Sequence, residues 1–185
     1  YMGALHWLNQ PVERRRNLVL FLGSNIGNFN KAQARRFLRQ LWSALAPDDL
    51  LLVGFDLKKD IELLLAAYND ANGVTAEFNL NLLARVNSEL DADFDLSAFR
   101  HYSTYDVFTG AMESYLVSMQ RQVVSVGALN TDFEFDAWEP IHTEYSYKYL
   151  ESEIATLASD TGFAVEQAFK DGNGWFVDAL LRVSK

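Results

Sequence analysis

The first clear pattern in the chain is a run of apolar residues at 18–22, which ends abruptly in Gly-Ser-Asn-Ile-Gly-Asn at 23–28. A short apolar run bounded by turn residues is typical of a parallel strand that is buried on both faces. Ligands of open α/β sheets lie just beyond the carboxyl ends of such strands. We therefore expect the functional edge of the molecule at residues 23–28, although Gly and Asn could here serve only to turn the chain.

A helix and a second strand follow this turn. Asn30 is a suitable N-cap, and apolar residues then recur at three- and four-residue spacing as far as Leu45. A second apolar run, Leu50–Phe55, ends at Asp56. Strand, helix and strand at this spacing predict one βαβ unit with a right-handed crossover.

The rest of the chain mixes helical and strand patterns. Helical periodicity predicts helices at 58–68, 75–90 and 149–159. Alternating apolar residues and turn signals predict strands at 101–109, 112–119, 122–126, 140–147, 163–170 and 175–183. We therefore expect an α/β fold in which residues 1–57 and 149–185 form one partial sheet with helices, and residues 58–148 form an inserted α+β domain.

Composition and charge narrow the classes of protein to which the chain can belong. Apolar residues make up 49% of the sequence, which is ample for a packed core, and the net charge of −9 argues against a nucleic-acid surface. The absence of cysteine removes disulfides and thiolate metal sites, and His6, His101 and His142 have no partners at metal-ligand spacing. With no membrane-length apolar stretch and no signal-peptide pattern, we expect a cytoplasmic protein without a metal.

The sheet pattern alone leaves the size of the fold open. An open α/β sheet usually has more than four strands, and the sequence has no dinucleotide-type Gly-x-Gly-x-x-Gly turn. The chain could have a small atypical fold, or it could be the C-terminal piece of a larger protein.

A family resemblance favours the second alternative. The stretches that carry it occur in a fixed order at 21–28, 56–60, 67–70, 73–79, 89–94 and 143–148. From about Leu18 to its end, the sequence resembles the C-terminal portion of the histidine-specific, S-adenosylmethionine (SAM)-dependent methyltransferases of ergothioneine biosynthesis. Relatives of that family include fungal dimethylallyltryptophan N-methyltransferases. The resemblance implies a Rossmann-like methyltransferase sheet with an inserted substrate-binding domain.

The resemblance also implies roles for individual residues. Asn28 and Tyr68 match the family residues that bind the α-amino acid group of histidine, whereas Glu144 and Ser146 match those that hold its imidazole ring. Residues i and i+2 of a strand face the same side, so one face would present this carboxylate and hydroxyl together. The backbone of Tyr145 would line the same pocket. Without the resemblance, Asn28 would be a helix cap, Tyr68 a core residue and Glu144 a solvent-facing strand residue.

The implied cofactor is SAM, with Gly23 and Ser24 as its expected contacts in this chain. Most of the family's cofactor site precedes the residues present here, and Asn25 stands where many members have threonine. We therefore expect a fragment of an N-methyltransferase that acts on the α-amino group of histidine or of a related amino acid. The alternatives are another acceptor, such as an indole amine, and a non-catalytic module that self-associates through an unpaired sheet edge.

Overall fold

The computed structural model describes residues 16–185, so residues 1–15 of the first expected domain lie outside the described part. The described residues fall into two units, one formed by 16–59 together with 146–185 and the other by 60–145.

The first unit contains a four-stranded sheet with two helices. Its strands are β1 (Leu18–Phe21), β2 (Leu50–Asp56), β8 (Phe163–Lys170) and β9 (Phe176–Val183), and its helices are α1 (Lys31–Ala44) and α4 (Glu151–Asp160). The strand order is β1-β2-β9-β8, in which β1 and β2 are parallel and the other pairs are antiparallel. The predicted βαβ unit is thus confirmed, and the two predicted C-terminal strands pair with each other as a hairpin.

Side chains on one face of this sheet form the core of the first unit. Leu51, Val53 and Phe55 of β2 are fully buried, and alternate residues of β9 are buried beside them. Phe21 packs on Phe37 of α1 with ring centroids 4.6 Å apart. The expectation that β1 is buried on both faces is wrong, because Leu18 and Leu20 are 55% and 57% exposed.

The second unit combines two helices with two small sheets. Its elements are α2 (Ile61–Tyr68), α3 (Val74–Leu90), β3 (Phe99–Asp106), β4 (Ala111–Ser118), β5 (Gln122–Val126), β6 (Thr131–Phe135) and β7 (Pro140–Tyr147), the last of which continues into the first unit at Ser146. The sheet orders are β3-β4-β7 and β5-β6. Leu83 of α3, Phe99 and Leu116 are at the centre of its core.

Two local differences from the predicted elements have clear causes. Helix α2 begins at Ile61 rather than at residue 58, because the Asp60 carboxylate accepts hydrogen bonds from the backbone N–H groups of Glu62 and Leu63 and so caps the helix there. Strand β6 was not predicted, because its sequence contains acidic residues and lacks the pattern of a buried strand, and most of its residues are indeed exposed.

Candidate functional site

The turn after β1 is fixed to the end of β2 and to the end of β7. Gly23 and Ser24 have left-handed backbone conformations with φ of 74° and 58°, and residues Asn25–Asn28 then form a 3-10 turn. The Ser24 hydroxyl accepts a hydrogen bond from the backbone N–H of Asp56 at 3.3 Å. A Cβ on Gly27 would lie 3.0 Å from the carbonyl oxygen of Tyr147, so the turn and this strand end are in close backbone contact.

Asn28, at the end of this turn, is not the cap of the following helix. The carboxamide of Asn30 accepts from the N–H of Gln33 at 2.9 Å, and the Gln33 side chain accepts from the N–H of Asn30 in return. This capping box satisfies the start of α1 and leaves Asn28 exposed beside it. The capping role considered for Asn28 is therefore wrong.

A cluster of charged groups surrounds Asp56 at the carboxyl end of β2. Its Oδ1 accepts from the Lys59 ammonium at 2.6 Å, and its Oδ2 accepts from the Lys148 ammonium at 2.8 Å. The Lys148 Nζ also donates to the hydroxyl of Ser146 at 2.7 Å. Ser146, one of the predicted substrate residues, is buried, and the buried Lys148 of this ion pair orients its hydroxyl.

In the second unit, Tyr68 is the last residue of α2 and is anchored on β3. Its carbonyl oxygen accepts from Nε2 of His101 at 2.9 Å, which fixes the proton of that imidazole on Nε2. The neighbouring Asn69 side chain exchanges two hydrogen bonds of 3.1 Å with the backbone of Ser103. His101 therefore holds the end of α2 against β3, and the half-buried Tyr68 side chain projects from a fixed helix end.

Glu144 lines a cavity of about 200 Å³ between β7 and α3. The walls also include Phe78, Leu82 and Arg85 of α3. Thr143 donates to the buried Asn79 carboxamide at 2.8 Å, which holds the strand against the helix at this point. Glu144 is half-buried here, so the interpretation of this residue as an ordinary solvent-facing strand residue does not describe its surroundings.

Tyr145 lies in an aromatic cluster on the same strand. Its ring centroid is 4.0 Å from that of His142, which in turn packs edge-on against Tyr115 at 5.2 Å. The Tyr115 hydroxyl donates to the Glu113 carboxylate, and this hydrogen bond raises the pKa of Tyr115 to about 12. His142 thus has aromatic partners in the described structure.

A further cavity, of about 270 Å³, lies between α1 and α4, and its walls include Lys31, Tyr149 and Glu153. Glu153 pairs with Lys31 and Lys58, each at 3.1 Å. Burial opposes ionisation of Glu153, but the N–H of Leu150 and the two ammonium groups outweigh it and lower its pKa. Since these charges already have partners, we assign no substrate role to this cavity.

The predicted site residues are therefore divided between the units. The turn with Gly23, Ser24 and Asn28 shares the first unit with Ser146, and Tyr68, Glu144 and Tyr145 belong to the second. Three residues that hold the predicted ones in place were not recognised from their local sequence: Asp56, Lys148 and Asn79. The spacing of Lys148, two residues after Ser146, was the available signal.

Residues 16–185 contain neither a metal-binding cluster nor a membrane-spanning helix. No group of three His, Asp or Glu side chains in this range is arranged to hold a metal ion. No helix in the same range is long and apolar enough to cross a membrane.

Comparison with known proteins identifies the family. The chain is 42% identical to histidine N-alpha-methyltransferase of Mycolicibacterium smegmatis over 161 residues, which are 87% of this chain and 50% of that protein. It is 46% identical to the same enzyme of Mycobacterium tuberculosis over 147 residues, 80% of this chain and 46% of that protein. L-tryptophan methyltransferase trpM of Psilocybe serbica is 25% identical over 168 residues, 90% of this chain and 47% of that protein.

The chain thus spans about half the length of these relatives. Residues 1–183 match the family model described as histidine-specific methyltransferase, SAM-dependent. The α/β fold with its parallel β1–β2 pair agrees with this assignment. The chain therefore belongs to the family of histidine-specific, SAM-dependent methyltransferases.

Proposed function

We propose that the protein containing this chain transfers a methyl group from SAM to the α-amino group of histidine. The observation that carries the proposal is strand β7, on which Glu144 and Ser146 lie two residues apart and so face the same side. A carboxylate can accept the N–H of an imidazole, and a hydroxyl can satisfy its other nitrogen. This pairing suits histidine better than an indole, whose ring has one N–H and no acceptor nitrogen.

The chain's residues would act by positioning the substrate. SAM, when bound, supplies a methyl group that is activated by the positive sulfonium. A neutral amine can displace it directly if its lone pair is aligned with the methyl and water is excluded. Asn28 and Tyr68 would bind the α-amino acid group, Glu144 and Ser146 the ring, and the Tyr145 backbone would complete the contacts. No covalent intermediate with the protein is required.

Gly23 and Ser24 fit a role beside the cofactor. Gly23 is exposed at the carboxyl end of β1, and without a side chain it lets another molecule approach the backbone closely. The Ser24 hydroxyl already accepts a hydrogen bond from the backbone N–H of Asp56, so this serine would contribute mainly through its backbone.

Gly23→Ala tests this role, because alanine is strained at the φ of 74° that Gly23 adopts. We expect this variant to bind S-adenosylhomocysteine more weakly than the wild type in calorimetry. Gly172→Ala is the control, since its Cβ would meet open space, and it should bind normally.

The central experiment is calorimetric titration of the full-length protein with histidine. Glu144→Ala should weaken histidine binding about 10- to 100-fold, the usual cost of losing a charged hydrogen bond. The matched control is Glu134→Ala, since Glu134 is an exposed glutamate of β6 in the same unit. Equal affinities for wild type and Glu144→Ala would contradict the proposal.

A second titration, with tryptophan, tests the identity of the acceptor. The histidine enzymes above are 42–46% identical to this chain, whereas the tryptophan enzyme is 25% identical. We therefore expect tight binding of histidine and weak or no binding of tryptophan. The reverse order would favour an indole amine as the acceptor.

We also propose that the protein acts in the cytoplasm, and that this chain, taken by itself, self-associates through the outer edge of β1. The lack of cysteine suits a reducing compartment, and β1 is the end strand of its sheet in the described structure. Leu18 and Leu20 are exposed on this strand, as in an edge open to pairing. Sedimentation of this chain alone should show a dimer that Leu20→Lys converts to monomer, and fractionation of cells that contain the full-length protein checks the location. A monomeric wild type would contradict the self-association.

A further inference from the structure

Lys148 is a buried ammonium group that the proposed mechanism does not use. Its side chain is 1% exposed, and it follows Ser146 by two residues where β7 ends. Nζ donates to Asp56 Oδ2 at 2.8 Å and to Ser146 Oγ at 2.7 Å. Buried lysines are rare unless they are paired, so this arrangement has to be built into the fold rather than being incidental to the surface.

The ion pair determines the direction of the hydrogen bond to Ser146. An ammonium group has three donors and no acceptor, so the Ser146 oxygen must accept from Lys148. The hydroxyl hydrogen of Ser146 then has to point away from Lys148. Ser146 can therefore offer a donor to another molecule, and one of the two lone pairs of its oxygen is already used.

We propose that Lys148, held by Asp56, fixes Ser146 as a hydrogen-bond donor, so that the enzyme binds the neutral imidazole of histidine and rejects the imidazolium. This inference rests on the proposed function. In the neutral ring one nitrogen is an acceptor for Ser146, and the other carries the N–H that Glu144 accepts. In the imidazolium both nitrogens carry hydrogen, so one N–H would have to use the second lone pair of Ser146, next to the Lys148 ammonium.

The charges around the Ser146 hydroxyl also favour a neutral ring over a cationic one. Asp56 pairs with both Lys148 and Lys59, which leaves one positive charge in excess within this trio. The 3-10 turn Asn25–Asn28, in which Gly27 lies against the backbone of Tyr147, contributes no titratable side chain. The other titratable groups within three residues of Ser146 are Glu144, Tyr145, Tyr147 and Tyr149, and the Glu144 carboxylate is the one that would face the second ring nitrogen. The ammonium next to Ser146 Oγ thus repels a cationic ring at that nitrogen.

The test is the pH dependence of histidine binding to the full-length protein, measured by calorimetry at pH 7.5 and 5.5. With an ordinary imidazole pKa of about 6.5, the neutral fraction of free histidine falls about tenfold over this range. The wild type should lose about tenfold in affinity. In Lys148→Met, Ser146 can rotate to accept, so we expect the loss to shrink below about threefold or to reverse.

Controls separate this role from a structural one. Lys59→Met removes the other ammonium on Asp56 without touching Ser146, and Lys148→Arg keeps a donor-only group, so both should retain the tenfold loss. Binding of S-adenosylhomocysteine at the two pH values corrects for titration of the protein itself. If Lys148→Met does not fold, the ¹⁵N shifts of labelled histidine bound to the wild type at pH 5.5 report the ring's protonation state directly.

The outcomes distinguish the two proposals. A wild type that does not bind histidine at either pH contradicts the proposed function. A wild type that binds histidine equally at both pH values, binds a cationic ring, or shares its pH dependence with Lys148→Met overturns only the role of Lys148.

Discussion

Asp49 is a buried carboxylate that ties the start of β1 to the loop before β2. Its oxygens accept from the backbone N–H of Asn17 at 2.9 Å, from the Asn17 side chain at 3.1 Å and from the N–H of Ala46 at 2.9 Å. Burial alone would raise the pKa of Asp49, but these hydrogen bonds outweigh it and hold the pKa below its usual value. The residue therefore stabilises the first unit as a carboxylate.

We expect Asp49→Asn to lower the free energy of unfolding by about 2 kcal/mol, because an amide NH₂ would face one of these donors. Urea denaturation of the full-length protein measures the change. Asp48→Asn is the matched control, since Asp48 is exposed and asparagine tolerates its left-handed backbone at φ 66°. Equal losses in the two variants would show that Asp49 has no special role.

Gly27 is a position at which the turn after β1 admits no side chain. The added Cβ of Gly27→Ala would lie 3.0 Å from the Tyr147 carbonyl, and backbone atoms cannot move aside as a flexible side chain can. We expect a loss of about 1–3 kcal/mol in unfolding free energy. Histidine binding should also weaken, because Asn28 follows directly. Gly172→Ala, with open space around its Cβ, should change neither the melting temperature nor the affinity.

Residue-level prediction from the sequence succeeded where a pattern was local and failed where it depended on tertiary contact. Asn30 was recognised as a cap because its signal lies within four residues. Asp56 and Lys148 were not linked, because 92 positions of sequence separate the partners of a 2.8 Å ion pair. The roles of Asn28, Tyr68, Glu144, Tyr145 and Ser146 came from the family resemblance and stay predictions.

At the scale of elements, β5 and β7 have the predicted bounds, and α1 ends one residue before the predicted limit. Their sequences have strong periodicity or clear turn residues at both ends. Strand β6 was not predicted because, within the described residues, it pairs with β5 alone, and in such a two-stranded ribbon most side chains remain exposed. Its acidic residues thus indicated a loop.

The capping box of α1 is the element-scale feature that is simplest to test. Asn30→Ala removes the acceptor for the N–H of Gln33, and we expect a loss of about 1 kcal/mol in unfolding free energy. The melting temperature should fall by a few degrees in calorimetric scans. Gln40→Ala, an exposed change in the same helix, is the control and should leave the melting temperature nearly unchanged. A normal melting temperature for Asn30→Ala would mean that packing alone sets the start of α1.

Throughout residues 16–185, the carboxyl groups whose pKa values are shifted share one direction of shift. The pKa values of Asp49, Asp70, Asp95, Asp106, Glu153 and Asp171 are all lowered. In Asp70 the main cause is the backbone N–H of Thr75 at the start of α3, and in Asp171 it is the backbone N–H of Phe176 in the final hairpin. Both units therefore depend on ionised carboxylates at their turns and helix starts.

This common direction gives the protein a defined sensitivity to acid. A carboxyl group whose pKa is lower in the folded state contributes stability that is complete above its unfolded value, near 3.8 for Asp and 4.5 for Glu. That stability is lost as the pH falls through the folded values. We therefore expect the urea midpoint to be nearly constant from pH 6 to 5 and to fall steeply below about pH 4.

Charge repulsion is the competing cause of acid unfolding, because protonation of the 25 acidic residues leaves 16 Lys and Arg charges unbalanced. Repulsion between surface charges is screened by salt, with a Debye length of about 3 Å at 1 M, whereas the hydrogen bonds of a buried carboxylate are not. In 1 M KCl, Asp49→Asn should therefore reduce the fall of the urea midpoint below about pH 4, while Asp48→Asn should leave that fall unchanged. If the urea midpoint of the wild type no longer fell at low pH in 1 M KCl, charge repulsion rather than these carboxylates would be the cause of acid unfolding.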